Sequence, residues 1–151
     1  MIFAAGGNDT VKGLDGSDSI DGGGGKDMLI GNGGKDMLRG GGGKDTLMGG
    51  GGKDTLEGGG DKDVIDGGRG KDVLTGNGGA DTFVFGKRAN KDTITDFRQG
   101  QDLIQITDGA EAFADLAISQ AGDGVRIAFG GGEVTVLDSL VADFDETDFI
   151  F

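Results

Sequence analysis

One nine-residue phrase recurs nine times between residues 4 and 84, and it fixes what this chain is able to fold into. Three central copies, Gly40 to Met48, Gly49 to Glu57 and Gly58 to Asp66, show it as G-G-x-G-x-D-x-U-x, where U is a large apolar residue. The aspartates are Asp9, Asp18, Asp27, Asp36, Asp45, Asp54, Asp63, Asp72 and Asp81, each nine after the last. Two residues after each stands U: Val11, Ile20, Leu29, Leu38, Leu47, Leu56, Ile65, Leu74 and Phe83. Drift in a glycine-rich tract does not hold two residue types in register over nine copies. The array therefore reads as a solenoid, in which no repeat buries its apolar residue alone and stacked neighbours bury a continuous core.

Within a repeat, the three residues around U suit a short strand with U inward and its neighbours outward. The other six residues must turn the chain back. Glycine at the first, second and fourth positions permits positive φ and close backbone approach. Such a turn aims several carbonyl oxygens at one region, beside an aspartate. Hard oxygen ligands in that arrangement suit Ca²⁺, which takes six to eight of them at flexible geometry. The chain has no histidine and no cysteine. Zinc, copper and iron thus lack their usual ligands, and disulfides and histidine-based catalysis are excluded.

Composition alone misleads. With 36 glycines among 151 residues, 34% hydrophobic content and a net charge of −13, the chain leans toward disorder until its order is considered. The acidity leaves no basic face to meet phosphates, so nucleic acid is not an expected partner. No apolar run reaches the roughly 20 residues of a spanning helix, so no membrane insertion is expected. Met1 to Ala5 lacks the basic and apolar regions of a secretory leader, and the array starts three residues after Met1. The expectation is a module of a longer protein with a domain upstream. The acids are periodic and no nucleophile–base pair stands out, so any catalytic part is expected outside this chain.

The phrase resembles the RTX (repeats-in-toxin, hemolysin-type) nonapeptide. That resemblance implies an all-β chain: a right-handed parallel β-roll over residues 4–84, followed by a small antiparallel β cap over 85–151. Each nonapeptide is then half a turn, and Ca²⁺ lies between repeats n and n+2, sharing an aspartate from each. Odd repeats supply Asp9, Asp27, Asp45, Asp63 and Asp81; even repeats supply Asp18, Asp36, Asp54 and Asp72, giving up to about seven ions. Four and a half turns would make a roll about 20 Å long. The resemblance also implies an extracellular protein whose partners are calcium ions and the type I secretion machinery.

Several copies depart from the pattern. Lysine precedes the aspartate at Lys26, Lys35, Lys44, Lys53, Lys62 and Lys71. Residues 1–84 hold 14 acids and 9 bases, a net of −5, and residues 85–151 hold 13 and 5, a net of −8. The lysine rows read either as a solubilising face or as a device that weakens calcium affinity. On the second reading, replacing all six with asparagine lowers the calcium midpoint; an unchanged midpoint counts against it. Asp61 takes a fourth-position glycine's place, and the first two repeats carry Ala4, Ala5 and Leu14 at turn positions. Met28, Ile30, Met48, Val64 and Val84 give the odd sheet a more apolar outer face than the even one, which suggests that the C-terminal segment or a missing domain packs there.

After Phe83 the period stops, and eight of the nine phenylalanines lie from there onward. Thr82 to Phe85 reads as the last roll strand. Asp92 to Phe97 and Leu103 to Ile106 alternate as strands, and Glu111 to Leu116 as a helical turn. Ala117 to Gln120 and Val125 to Phe129 form a hairpin with Glu133 to Leu137 beside it. An antiparallel sheet closing the roll's end is the expected outcome. The stretch Gly78 to Phe85, Asp92 to Phe97 and Gly100 to Ile106 is similar to the C-terminal domain of serralysin-type proteases. That similarity implies one further Ca²⁺ site using Asp96 and Asp102; both residues also read as simple turn caps. The last residues, Asp148 to Phe151, resemble the uncleaved type I export signal of such proteins.

Three functions remain in view: a calcium-triggered folding module for export, the C-terminal module of an exported protease, lipase or epimerase, and a surface adhesin or ice-binding roll. The third needs a regular outward ladder, whereas Thr10, Met28, Thr46, Val64 and Thr82 make a broken one.

Overall fold

A computed structural model describes residues 1–87 and 89–151. Strands are numbered in chain order. One sheet takes β2 (Thr10–Asp15), β4 (Met28–Gly34), β6 (Thr46–Gly52), β8 (Val64–Gly70) and β10 (Thr82–Phe85). The opposite sheet takes β1 (Ile2–Phe3), β3 (Ser19–Gly24), β5 (Met37–Gly42), β7 (Thr55–Gly60) and β9 (Val73–Gly78). Successive repeats therefore alternate between two parallel sheets, as half-turns of a β-roll. Register is strict: Val11, Leu29, Leu47, Ile65 and Phe83 are paired in one row, and Ile2, Ile20, Leu38, Leu56 and Leu74 in the other. Leu29 to Phe83 are fully buried between the sheets, as are their partners from Leu38 to Leu74. Each buried aliphatic residue contributes about 1.5–3 kcal/mol, so the core is sound but thin, one side chain per strand.

Strands β2 to β9 are six or seven residues long rather than three, because turn glycines join the same ladder, as in Gly41 with Gly23 and Gly59. Positive φ falls at the second and fourth repeat positions, for example Gly50 at 103° and Gly52 at 147°. Asp61 adopts φ 73° in a glycine's place, a left-handed conformation aspartate tolerates. The first-position glycines have no positive φ, and their role lies elsewhere.

Parallel pairing does not end with Phe85, which corrects the expected last roll strand. β11 (Asn90–Ile94) pairs parallel with β9, and β12 (Leu103–Ile106) pairs parallel with β10. β15 (Gly132–Val136) then adds to β11, and β16 (Phe149–Ile150) to β12, both parallel. Each side of the roll is seven parallel strands deep, roughly 30 Å at strand spacing. The inward rows simply continue, through Ile94 and Val136 on one side and Ile104 and Phe149 on the other. Among the described residues, antiparallel pairing is confined to β13 (Ala117–Ala121), β14 (Gly124–Phe129) and β15. The expected helical turn is a single 3-10 turn at Phe113–Asp115.

The C-terminal strands lengthen the sheets rather than cover their outer faces, and Met28 remains 40% exposed. Rings seal the far end of the core: Phe83, Phe97, Phe144, Phe149 and Phe113 follow one another at centroid distances of 5.4–6.3 Å. Among the described residues no helix is long and apolar enough to cross a membrane.

Candidate metal centre

Each repeat aspartate stands where a turn enters a strand, and from Asp27 onward its side chain lies along the sheet edge against the main chain of the repeat one full turn earlier. One carboxylate oxygen is used by the main chain. The Asp9 amide donates to Asp27 Oδ1 at 2.8 Å, Asp27 to Asp45 at 2.8 Å, Asp45 to Asp63 at 2.8 Å and Asp63 to Asp81 at 2.9 Å. The other edge repeats this from Asp18 to Asp36 at 2.8 Å, Asp36 to Asp54 at 2.9 Å and Asp54 to Asp72 at 2.8 Å. The nine repeat aspartates thus form two continuous ladders.

The other oxygen has no partner. Oδ2 of Asp9, Asp27, Asp36, Asp45, Asp54, Asp63, Asp72, Asp81 and Asp92 is buried without a hydrogen bond. From Asp27 onward these residues expose no more than 2% of their surface. A buried polar atom is nearly always satisfied in a native protein, and a buried carboxylate demands a cation or a proton. The first-position glycines keep a space beside it. A Cβ on Gly49 would lie 2.7 Å from Asp54 Oδ2 and 2.7 Å from the Gly67 carbonyl oxygen; Gly13 repeats the arrangement with Asp18 and Gly31 at 2.7 and 2.9 Å. An anionic oxygen and a carbonyl oxygen thus face one small space in turn after turn. Among the described residues no three acidic side chains converge, so backbone carbonyls must complete any ligand shell. An all-oxygen shell of that kind fits Ca²⁺.

Burial, and the neighbouring ladder carboxylates, push these groups up: Asp63 and Asp92 to about 7, Asp72 to about 6, with Asp45, Asp54 and Asp81 also raised. The amides donated to them oppose the shift without cancelling it. In the unfolded chain an aspartate titrates near 3.9. Between about pH 4 and 7 the folded chain therefore binds more protons than the unfolded one, and acid favours folding there. In chelator, lowering the pH from about 8 to 5 is expected to raise strand content in circular dichroism; a flat or falling signal would contradict this.

The ladders run past the repeats. The Asp72 amide donates to Asp92 Oδ1 at 2.9 Å, and the Asp81 amide to Asp102 Oδ1 at 3.0 Å. Asp92 is fully buried and was not among the residues expected at the site. The signal that would have found it is Asp92-Thr93-Ile94, which keeps the Asp-x-U spacing without the glycines. Asp102-Leu103-Ile104 keeps it too. Asp96 has a different part: its two oxygens accept the Gly76 and Asn77 amides at 2.9 and 2.6 Å, closing the ninth turn. Asp102 likewise has both oxygens engaged, the second by the Arg98 amide at 2.8 Å. The six lysines are all exposed.

The RTX calcium-binding nonapeptide repeat profile matches in four overlapping copies, over residues 3–38, 30–65, 39–74 and 57–87. No curated protein sequence matches the chain. Among solved structures, the extracellular lipase LipA from Serratia marcescens is 20% identical with a TM-score of 0.50; the match covers 96% of this chain and 40% of the lipase. The AlgE6R2 subunit of the Azotobacter vinelandii mannuronan C5-epimerase is 25% identical with a TM-score of 0.51, over 94% of this chain and 91% of that one. Period, paired sheets, aspartate ladders and profile agree: the chain belongs to the RTX calcium-binding nonapeptide repeat family.

Proposed function

We propose that this chain is a folding module switched by calcium, which stays unfolded during export and folds outside the cell. The observation that carries the reading is the set of nine buried Oδ2 atoms without partners. At neutral pH they make the folded chain conditional on a cation. Calcium supplies the positive charge there. The side chains of Asp9, Asp27, Asp45, Asp63 and Asp81 would hold it on one edge. Asp18, Asp36, Asp54, Asp72 and Asp92 would hold it on the other. Seven ions fall between repeats and an eighth between Asp72 and Asp92. Coupling of this kind turns metal-binding energy into folding energy.

The C-terminus supports the export part. Asp148 and Phe149 are buried, and Phe149 pairs with Ile104 in β16. A secretion machine of the type I class that reads this segment must therefore meet the chain unfolded, which is its calcium-free state. A second reading adds to the first: the module is part of an exported enzyme. It is favoured by the 25% identity to a subunit of an epimerase across nearly the whole of both chains.

The test is to count bound Ca²⁺ by equilibrium dialysis while following strand content by circular dichroism. About eight ions are expected to enter together with the strand signal. Strand content at its full value before any ion binds would overturn the reading.

A further inference from the structure

The last step of the odd-numbered ladder differs from every other. Asp81 and Asp102 are 0% and 1% exposed, yet a cation of the chain itself lies beside both. The Arg98 guanidinium places Nη2 3.6 Å from Asp81 Oδ2 and Nε 3.6 Å from Asp102 Oδ2. Nη2 also donates to the Gly79 carbonyl at 2.9 Å, and Gln101 Nε2 donates to the same oxygen. Gly79 is the last fourth-position residue of the array. Within the array such a carbonyl is packed against the fourth-position glycine one turn on; a Cβ on Gly52 would collide with the Gly34 oxygen. The glycine at the matching offset before Asp102, Gly100, meets nothing within 4 Å, and side-chain N–H groups lie against the Gly79 oxygen in its place. Asp102 Oδ2, unlike the other outer oxygens, accepts an amide. On the opposite edge the matching step has no such cation among the described residues: Asp92 Oδ2 is buried and without a hydrogen bond, with Asp66 contributing further negative charge.

We propose that Arg98 is the resident counter-cation between Asp81 and Asp102, closing this step without calcium. The proposal rests on the calcium reading of the other steps. A guanidinium suits the place: it is planar and permanently charged, and it donates to the Gly79 carbonyl while its charge lies 3.6 Å from each of two carboxylates. A calcium ion there would meet like charge and a carbonyl already engaged by two donors. The two edges therefore end differently, and the odd edge offers a template whose negative charge is already partly offset before any ion arrives.

The test compares the intact chain with Arg98→Met and Arg98→Lys, using calcium alone as the probe and reading bound-ion count and the midpoint of the strand signal. Arg98→Met is expected to gain one ion or to raise the midpoint at least about twofold, because calcium must then supply the missing charge. Arg98→Lys, which restores charge without the fork, is expected to return the original count with a midpoint between the two. Unchanged count and midpoint in Arg98→Met would overturn the proposal. So would an Arg98→Lys chain as impaired as Arg98→Met, since the fork and not the charge would then matter. If the unsubstituted chain bound no calcium, the calcium reading itself would fail, and the variants would not be needed to show it.

Discussion

Excess chelator at neutral pH is expected to remove the strand signal of the whole chain in one transition. The magnitudes decide this. Nine buried carboxylate oxygens have no hydrogen-bond partner, that of Asp81 alone having Arg98 beside it among the described residues, and an uncompensated buried charge costs about 3–5 kcal/mol. Even the low end, taken only for Asp45, Asp54, Asp63, Asp72 and Asp92, whose carboxyls burial pushes up, uses up the roughly 5–15 kcal/mol by which a folded domain is stable. Protonation relieves part of the cost only below about pH 7, where Asp63 and Asp92 titrate. The apolar core cannot make up the difference, because each half-turn buries one large side chain while its turn orders several glycines, at about 1–2 kcal/mol of backbone entropy per residue. The transition is expected to include residues after 85, because β11 and β12 pair directly onto β9 and β10. Hydrogen exchange alongside circular dichroism checks both points. Full strand content in chelator would refute the metal dependence, and protected amides confined to residues 90–150 would refute the single unit.

The array was legible in the sequence because aspartate, U and glycine all repeat at nine, so one register satisfied every constraint. The continuation was not, because turn length changes while the inward rows do not. Ladder partners are 18 apart through Asp81, then 20 apart from Asp72 to Asp92 and 21 from Asp81 to Asp102. Alternation marked Asp92 to Phe97 and Leu103 to Ile106 as strands but not what they pair with. Ile104 and Phe149 are 45 residues apart and adjacent in the sheet, a pairing no local pattern announces. The role of Arg98 was equally hidden, since it depends on a turn that returns residue 98 to the end of a ladder begun at Asp9.

The first-position glycines give the second large effect. Gly49 lies outside the positive-φ set, so alanine is acceptable to its backbone. Its Cβ would nonetheless fall 2.7 Å from both Asp54 Oδ2 and the Gly67 oxygen, closer than real Cβ atoms approach. Gly51, two residues on, would meet nothing nearer than the Asn32 oxygen at 3.9 Å, and Arg69 occupies that repeat position naturally. Gly49→Ala is therefore expected to raise the calcium midpoint about tenfold, the equivalent of about 1.4 kcal/mol, within the ~1–3 kcal/mol of an overpacked site. Gly51→Ala is expected to stay within about twofold, since both substitutions reduce the unfolded chain's freedom similarly. Equal shifts in the two variants would show that backbone freedom, and not space beside the carboxylate, keeps glycine there. Repeat one already carries Ala4 in the first position. By the same argument, the step between Asp9 and Asp27 binds its ion last and releases it first.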